Sequence, residues 1–186
     1  MSTTTRRYSY ADLLNTPDDG KRYEIIDGEL IVSAAPLKEH QRMLYLLSRV
    51  FGIHIDGLRL GHLYFAPVDV LLSTGDTVEP DLIFIRRDRL HVYQGSVVHG
   101  IPDAALEVPS PTTRERDLGR KFRLYESEGV PVYWIADPDT PDLMLFVLGA
   151  DARYERVLPV NGRLHSRAIA GFAIDLDALF AELAAD

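Results

Sequence analysis

The fold is decided by the stretch Val78-Glu79-Pro80-Asp81-Leu82-Ile83-Phe84-Ile85, in which a proline and an acid precede four large apolar residues. An apolar run of this kind predicts a strand that is buried on both faces of a sheet. A second short strand follows in Asp103-Ala104-Ala105-Leu106-Glu107-Val108-Pro109-Ser110-Pro111, and its prolines end it. Asp81 and Glu107 therefore occupy strand positions where apolar residues are expected.

A helix is predicted after these strands, over residues 112–128, with Gly129 marking its end. Asp117 and Lys121 fall within the apolar sector of this helix, and their i, i+4 spacing lets them touch each other. A lysine on an inward face is unfavourable unless it meets carboxylates, because an unpaired buried charge costs several kcal/mol or is neutralised. We therefore expect Lys121 to meet the strand acids, although a purely structural pair with Asp117 also explains it.

Two carboxylates beside a lysine are the groups that metal-assisted hydrolysis of a phosphodiester needs. The carboxylates bind a hard divalent cation through oxygen, and the lysine orients or deprotonates water or stabilises charge on phosphorus. The order Pro80-Asp81, Glu107, lysine resembles the PD-(D/E)xK nuclease superfamily. Its commonest form has the lysine two residues after the second acid, where this chain has Pro109. Lys121 is therefore interpreted as a lysine displaced onto the following helix.

The wider sequence is similar to the Uma2 family of proposed restriction endonucleases, from about residue 10 to residue 180. The segments that carry the resemblance, in chain order, are residues 23–30, 66–70, 79–82, 106–113, 117–121 and 132–138. The resemblance implies a restriction-endonuclease-like core. The strand, strand, helix, strand order of residues 78–135 independently favours an α/β architecture with a mixed sheet. A length of 186 residues suits a single domain, residues 1–186.

The resemblance also implies roles for further residues. The superfamily often adds an acid from its early segments, which points to Glu24, and the Uma2 pattern has a histidine near His40. A lone histidine is more often structural, so that alternative stays open for His40.

The metal expected at the site is Mg²⁺, with Mn²⁺ as the other candidate. Asp81 and Glu107 are expected to bind it, with the carbonyl of Val108 as an additional ligand and Asp117 orienting Lys121. Without metal the crowded acids repel each other, so at least one is expected to have a raised pKa. Asp81→Asn is then expected to leave the fold intact or to stabilise it.

The net charge of −8 opposes nucleic-acid binding, which gains most of its affinity from cationic side chains. Two groups of arginines soften this repulsion, one after the first site strand and one on the site helix. They are Arg86, Arg87 and Arg89, and Arg114, Arg116, Arg120 and Arg123. We predict that Arg114, Arg116 and Arg120 bind DNA, although charge on a helix surface is also typical of a solvated face.

Two functions follow from these residues. The first is a Mg²⁺-dependent endonuclease that hydrolyses DNA. The rival is a non-catalytic interaction module, homodimeric or associated with nucleic acid, built on a nuclease fold. The intact set of acids and lysine favours the enzyme, and the acidic charge favours the module.

The absence of cysteine excludes disulfides, thiolate metal sites and cysteine nucleophiles. Residues 1–7 lack the apolar segment of a secretion signal, and no apolar run approaches the length of a membrane span. We therefore expect a cytoplasmic protein without membrane contact.

The remaining elements follow from periodicity and turn residues. We predict a short helix over residues 9–14, a hairpin of strands 22–26 and 29–33, a helix over 36–55 and one long strand over 62–72. Residues 87–102 are predicted to be a loop with a short helical piece. A strand over 132–135, a C-terminal antiparallel meander of strands 143–148, 154–159 and 163–169, and a helix over 176–184 complete the chain.

Overall fold

The computed structural model describes residues 7–185, which form two six-stranded sheets and a small two-stranded sheet. The first sheet contains β1 (Arg22–Ile26), β2 (Glu29–Ser33), β4 (Asp69–Leu71), β5 (Thr77–Val78), β7 (Tyr93–Gln94) and β8 (Val97–His99). The central sheet contains β3 (Gly61–Phe65), β6 (Leu82–Arg86), β9 (Ala104–Glu107), β10 (Val132–Asp137), β11 (Asp142–Leu148) and β12 (Tyr154–Val157). The third contains β13 (Arg163–His165) and β14 (Ala173–Asp175).

The described residues form the helices α1 (Tyr10–Leu13), α2 (Lys38–Leu58), α3 (Arg114–Arg116), α4 (Phe122–Glu128) and α5 (Leu176–Leu183), with a 3₁₀ helix at Arg87–Val92 and a π-helical turn at Asp117–Lys121. α2 and α5 pack on one face of the central sheet, and α4 packs on the other. The predicted mixed-sheet α/β class is confirmed. Within residues 7–185, no helix combines the length and the apolar character needed to cross a bilayer.

The central sheet has the strand order β12-β11-β10-β9-β6-β3, in which only β9 and β10 run parallel. Leu82 of β6 is opposite Leu106 of the antiparallel β9. Asp81 precedes Leu82 and Glu107 follows Leu106, so continuing this register brings the two acids opposite each other at one end of the strands.

Side-chain alternation buries both faces of β6, as its apolar run predicts. Leu82 and Phe84 pack in a cluster with α2 and α5, while Ile83 and Ile85 pack in a second cluster with α4 and the first sheet. Asp81 has the same parity as Ile83, so its side chain emerges on the face of α4 and the first sheet. The architecture thus aims the strand acids at the layer that holds the predicted lysine.

The first hairpin forms as predicted and supplies one wall of that layer. Its turn residues Asp27 and Gly28 have positive φ angles of 57° and 75°, which the tight turn requires. The buried Asp76 carboxylate accepts hydrogen bonds of 2.9 Å from both of their N–H groups. This clamp fixes the position of β1 and therefore of its inward side chains.

The predicted helix over residues 112–128 begins at Arg114, and the π-helical turn interrupts it. A π turn inserts an extra residue into the helix and is frequent at functional sites. Both ends of this turn, Asp117 and Lys121, are buried. Periodicity alone did not reveal the turn, because its flanking segments keep the helical pattern.

The single long strand predicted over residues 62–72 is wrong. Pro67 lacks the N–H that a strand interior needs, and the chain divides there into β3 of the central sheet and β4 of the first sheet. The loop predicted over residues 87–102 contains the expected short helix and also the strands β7 and β8.

The C-terminal meander holds for its first two strands, since β11 and β12 pair antiparallel. Its predicted third strand instead pairs with β14 in the separate two-stranded sheet. Asn161 and Gly162, with φ of 49° and 73°, form a turn closed by a bridge between Val160 and Arg163. This turn directs β13 away from β12.

Candidate active site

A pocket of about 270 Å³ opens at the end of the central sheet where Asp81 and Glu107 lie. Its walls come from the segment between β2 and α2 and from the segment that follows β9, residues 108–113. Asp81, Glu107 and His40 line it together with Val108 and Arg22. The two strand acids, 2% and 1% exposed, thus share one recessed site.

Both carboxylate oxygens of Asp81 have partners within 3.0 Å. Arg22 Nη1 lies 2.8 Å from Oδ1, while the Val108 N–H and His40 Nε2 lie 2.8 Å and 3.0 Å from Oδ2. Burial alone would raise the pKa of Asp81, but the hydrogen bond from His40 and the charge of Arg22 hold it well below its usual range. Asp81 is therefore an ionised carboxylate at neutral pH.

Lys121 is completely buried between two acids. Its Nζ lies 2.7 Å from Glu24 Oε1 and 2.7 Å from Glu107 Oε1. Burial alone would lower the pKa of Lys121, but the charges of Glu107 and Glu24 outweigh it and raise the pKa. The lysine meets a strand acid as the sequence indicates, and it stays cationic behind Glu107.

Glu24 reaches this lysine from β1, the strand fixed by the hairpin clamp. It also accepts the N–H of Glu79 at 2.9 Å, and Arg116 Nη1 lies 3.4 Å from its Oε2. Burial alone would raise the pKa of Glu24, but Lys121 and Arg116 lower it. The early acid implied by the resemblance therefore lies in the same cluster as Lys121 and Glu107.

Glu107 is completely buried beside Asp81 and Asp117, and its pKa is raised. Its Oε1 accepts hydrogen bonds from Lys121 Nζ at 2.7 Å and from the Tyr125 hydroxyl at 2.9 Å. Burial raises the pKa of Glu107 to about 8, and the charges of Asp81 and Asp117 add to this although Lys121 opposes it. One crowded acid thus has the raised pKa that the sequence indicates. It is Glu107, because hydrogen bonds and cations lower the pKa of Asp81.

A pH dependence of stability follows from this shift. The pKa of Glu107 is raised from 4.5 to about 8 in the folded chain, so the stability it contributes is present below pH 4.5 and is lost as pH rises through 8. Glu107→Gln cannot ionise, and we expect it to gain stability relative to the parent between about pH 6 and pH 9, by on the order of a few kcal/mol at most. Urea unfolding in chelator at both pH values measures this gain.

Glu115→Gln is the matched control, because Glu115 is an exposed carboxylate that does not line the pocket. Its stability relative to the parent should be the same at both pH values. A Glu107→Gln difference that is also constant with pH would contradict the raised pKa.

Sequence analysis missed Arg22 and Tyr125, which both contact the site acids. Arg22 and Glu24 are two residues apart on β1, so their side chains lie on the same face of the strand. Tyr125 lies one turn after Lys121 and donates to the same Glu107 oxygen. The alternation of Arg22 with Glu24, and the i, i+4 spacing of Lys121 with Tyr125, were the signals that could have identified them.

Asp117 lies beside the cluster, but its carboxylate accepts a hydrogen bond from Arg116 Nε at 3.1 Å. It affects Lys121 through its charge, which helps to raise the pKa of the lysine. Lys121 makes its direct contacts with Glu24 and Glu107, and the orienting role of Asp117 stays a prediction.

The three arginines predicted to bind DNA all pair with acids of this chain. Arg114 pairs with Asp137, and Arg116 contacts both Glu24 and Asp117. Arg120 pairs with Asp27 and Glu29 at 3.1 Å and 2.9 Å and donates to the Ile26 carbonyl at 2.7 Å. Their charges are therefore partly neutralised within the fold, and DNA binding by them remains a prediction.

The donor chemistry of the pocket fits a hard divalent cation. Asp81 and Glu107 offer carboxylate oxygens, and Val108 lines the same pocket. A cation there would also offset the burial and the neighbouring acidic charges that raise the pKa of Glu107. Within residues 7–185, no cluster of three or more histidine, cysteine or acidic side chains is arranged to hold a metal. This is compatible with Mg²⁺, which is often bound through one or two carboxylates with water and phosphate as the other ligands.

Comparison with known proteins identifies a family and structurally similar proteins. The model of the Uma2 family, described as "Putative restriction endonuclease", matches residues 9–177. The crystal structure of a protein from Anabaena variabilis described as "a putative nuclease" superimposes with a TM-score of 0.79 at 15% sequence identity, covering 94% of this chain and 98% of that one. At this identity the likeness supports the fold alone. Comparison with curated proteins gives no match.

Proposed function

This chain belongs to the Uma2 family, and from that premise we propose that it is a metal-dependent endonuclease that hydrolyses phosphodiester bonds of DNA. The observation that carries the proposal is the presence of Asp81 and Glu107 in one pocket, with the buried Lys121 2.7 Å from Glu107. This set resembles that of PD-(D/E)xK nucleases, with the lysine displaced onto the following helix.

Asp81 and Glu107 would hold the cation, with Val108 as the candidate for a carbonyl ligand. A bound Mg²⁺ or Mn²⁺ supplies a Lewis acid for a phosphoryl oxygen and lowers the pKa of bound water. Asp81 is already ionised, while Glu107 must release its proton before it can act as a ligand. Lys121 favours that release, because its charge opposes the rise in the pKa of Glu107.

The state of Lys121 decides between the roles that a lysine can have here. Its pKa is raised, so it remains protonated and does not act as the general base. Its ammonium has three donors, and its contacts with Glu24 and Glu107 employ two of them. We assign Lys121 as a positioning residue that holds Glu107 in place. Its positive charge also helps to offset the negative charge that develops on the phosphate in the transition state.

His40 and Glu24 support the same groups from outside the reaction centre. His40 lies 3.0 Å from Asp81 Oδ2, and Glu24 balances the charge of Lys121. Together they fix the direction of one carboxylate and the ionisation of the lysine. Both are therefore assigned to positioning.

One observation favours the rival function, an interaction module without catalysis. Arg114, Arg116 and Arg120 pair internally, and the net charge is −8. A weak electrostatic attraction to DNA follows, since phosphate contacts carry most of the affinity for nucleic acids.

A cleavage assay separates the two functions. We expect purified protein to cleave DNA slowly in Mg²⁺ or Mn²⁺, and not in Ca²⁺ or chelator, because Ca²⁺ occupies oxygen sites with looser geometry. Single- and double-stranded DNA and RNA are assayed in parallel at low and physiological salt. Failure to cleave any of these with any metal would favour the interaction module.

A further inference from the structure

Arg22 contacts Asp81, which the proposed function assigns as a metal ligand. Its Nη1 lies 2.8 Å from Asp81 Oδ1, and its side chain lines the pocket at 18% exposure. Burial alone would lower the pKa of this guanidinium, but the charges of Asp81 and Glu107 raise it. Arg22 therefore brings a permanent positive charge to the carboxylate that would bind the metal.

Arg22 also contacts a second acid, Glu79, just before the site strand. Its Nη1 donates to the Glu79 carbonyl at 3.3 Å, and its Nε lies 3.7 Å from Glu79 Oε2. Glu79 and Asp81 are two residues apart in the chain. The guanidinium thus bridges two carboxylates, at close range to Asp81 and at longer range to Glu79.

A guanidinium and a divalent cation repel each other, so they compete for the same carboxylate oxygen. If a cation displaces Arg22 from Asp81, Glu79 is the other acid that the guanidinium already contacts. The Val108 N–H and His40 still hold Asp81 through Oδ2, so the acid keeps its position during the exchange.

We propose that Arg22 is a positioning residue that neutralises Asp81 in the absence of metal, and that Glu79 holds Arg22 once Asp81 binds a cation. This role rests on the proposed function, because it requires Asp81 to be a metal ligand. It predicts that Arg22 and Glu79 change metal affinity in opposite directions. A purely structural arginine would have no such effect.

The test is the Kd for Mn²⁺ alone, without DNA, measured by titration calorimetry on the full chain. Arg22→Met keeps the apolar stem and removes the charge, and we expect it to bind Mn²⁺ about tenfold more tightly than the parent. Arg22→Lys keeps a charge and should remain close to the parent. Arg153→Met is the matched control, because Arg153 pairs with Glu126 and does not line the pocket, so the Kd for Mn²⁺ should be unchanged.

Glu79→Gln tests the second half of the exchange. We expect it to weaken Mn²⁺ binding, because Arg22 then remains on Asp81. Since Glu79 also attracts cations directly, the decisive variant is Arg22→Met combined with Glu79→Gln. Glu79→Gln should change the Kd for Mn²⁺ much less in the Arg22→Met variant than in the parent. A double-mutant cycle measures this coupling between the two residues.

The outcomes separate this role from the proposed function. No Mn²⁺ binding by the folded parent overturns the metal site itself. A parent that binds Mn²⁺, with Arg22→Met equal or weaker, overturns only the role of Arg22. Thermal melts check that each variant is folded. If Arg22→Met does not fold, Arg22→Gln replaces it, because an amide keeps a hydrogen bond to Asp81 without the charge, and the same gain in affinity is expected.

Discussion

Asp81→Asn is expected to abolish DNA cleavage, with a loss of at least about a hundredfold, and to lower the stability of the fold. A neutral amide is a poor ligand for Mg²⁺, and it has one acceptor oxygen where the carboxylate has two. Asp81 accepts from Arg22, His40 and the Val108 N–H, so an amide nitrogen would face one of these donors. Cleavage rate and urea unfolding of the same preparation measure the two effects.

The expected destabilisation is about 3 kcal/mol, because the substitution breaks a buried ion pair and leaves a donor unsatisfied. This replaces the expectation from sequence that Asp81→Asn leaves the fold intact, which assumed that repulsion between acids dominates at Asp81. The control is Asp142→Asn, since Asp142 forms an exposed pair with Arg156 at 3.4 Å. That variant should retain both cleavage and stability. Retained cleavage by Asp81→Asn would exclude Asp81 as an essential ligand.

Lys121→Met is expected to lower the free energy of unfolding by about 3–5 kcal/mol at neutral pH. Methionine fills a similar volume, but it leaves the ionised Glu24 buried without the Lys121 charge and removes the hydrogen bond that Lys121 donates to Glu107. The deficit should shrink on acidification, because protonated acids no longer require the lysine. Urea unfolding as a function of pH measures it.

Lys38→Met is the matched control, because Lys38 is 91% exposed and pairs only loosely with Glu39. Its stability should stay within about 0.5 kcal/mol of the parent. If Lys121→Met were as stable as the parent at neutral pH, Glu24 would have to be neutral in the fold, which contradicts its lowered pKa.

The centre of the site could be predicted from sequence because its charged residues occupy positions where apolar residues are expected. An acid at the end of an apolar strand and a lysine on an apolar helix face are each costly unless they meet, and Lys121 does lie 2.7 Å from Glu107. Glu24 and His40 came from the family resemblance instead, and the structure places Glu24 2.7 Å from Lys121 and His40 3.0 Å from Asp81.

Arg22 and Tyr125 could not be identified from the sequence in the same way, because each is an ordinary residue type at its position. Arg22 occupies the start of a strand beside a turn, where a charged residue is ordinary, and only the alternation with Glu24 marked it. Tyr125 belongs to the apolar face of its helix, so its hydroxyl bond to Glu107 is visible only in three dimensions. The pairing of Arg120 with Asp27 and Glu29 likewise depends on how the hairpin packs against the helix.

The errors in the fold have a similar origin. Residues 62–72 are rich in strand formers, and Pro67 divides them between two sheets because each half finds a different partner. The strand β13 pairs with β14 rather than β12, a choice between two antiparallel partners that propensity does not determine.

The most direct measurement of the central claim is anomalous diffraction from crystals soaked in Mn²⁺. We expect a peak bound by the carboxylates of both Asp81 and Glu107, with the Arg22 guanidinium displaced from Asp81 towards Glu79. A soaked crystal with no peak at these two acids, or with Mn²⁺ bound elsewhere while Arg22 remains on Asp81, would contradict a metal-dependent nuclease site in this pocket.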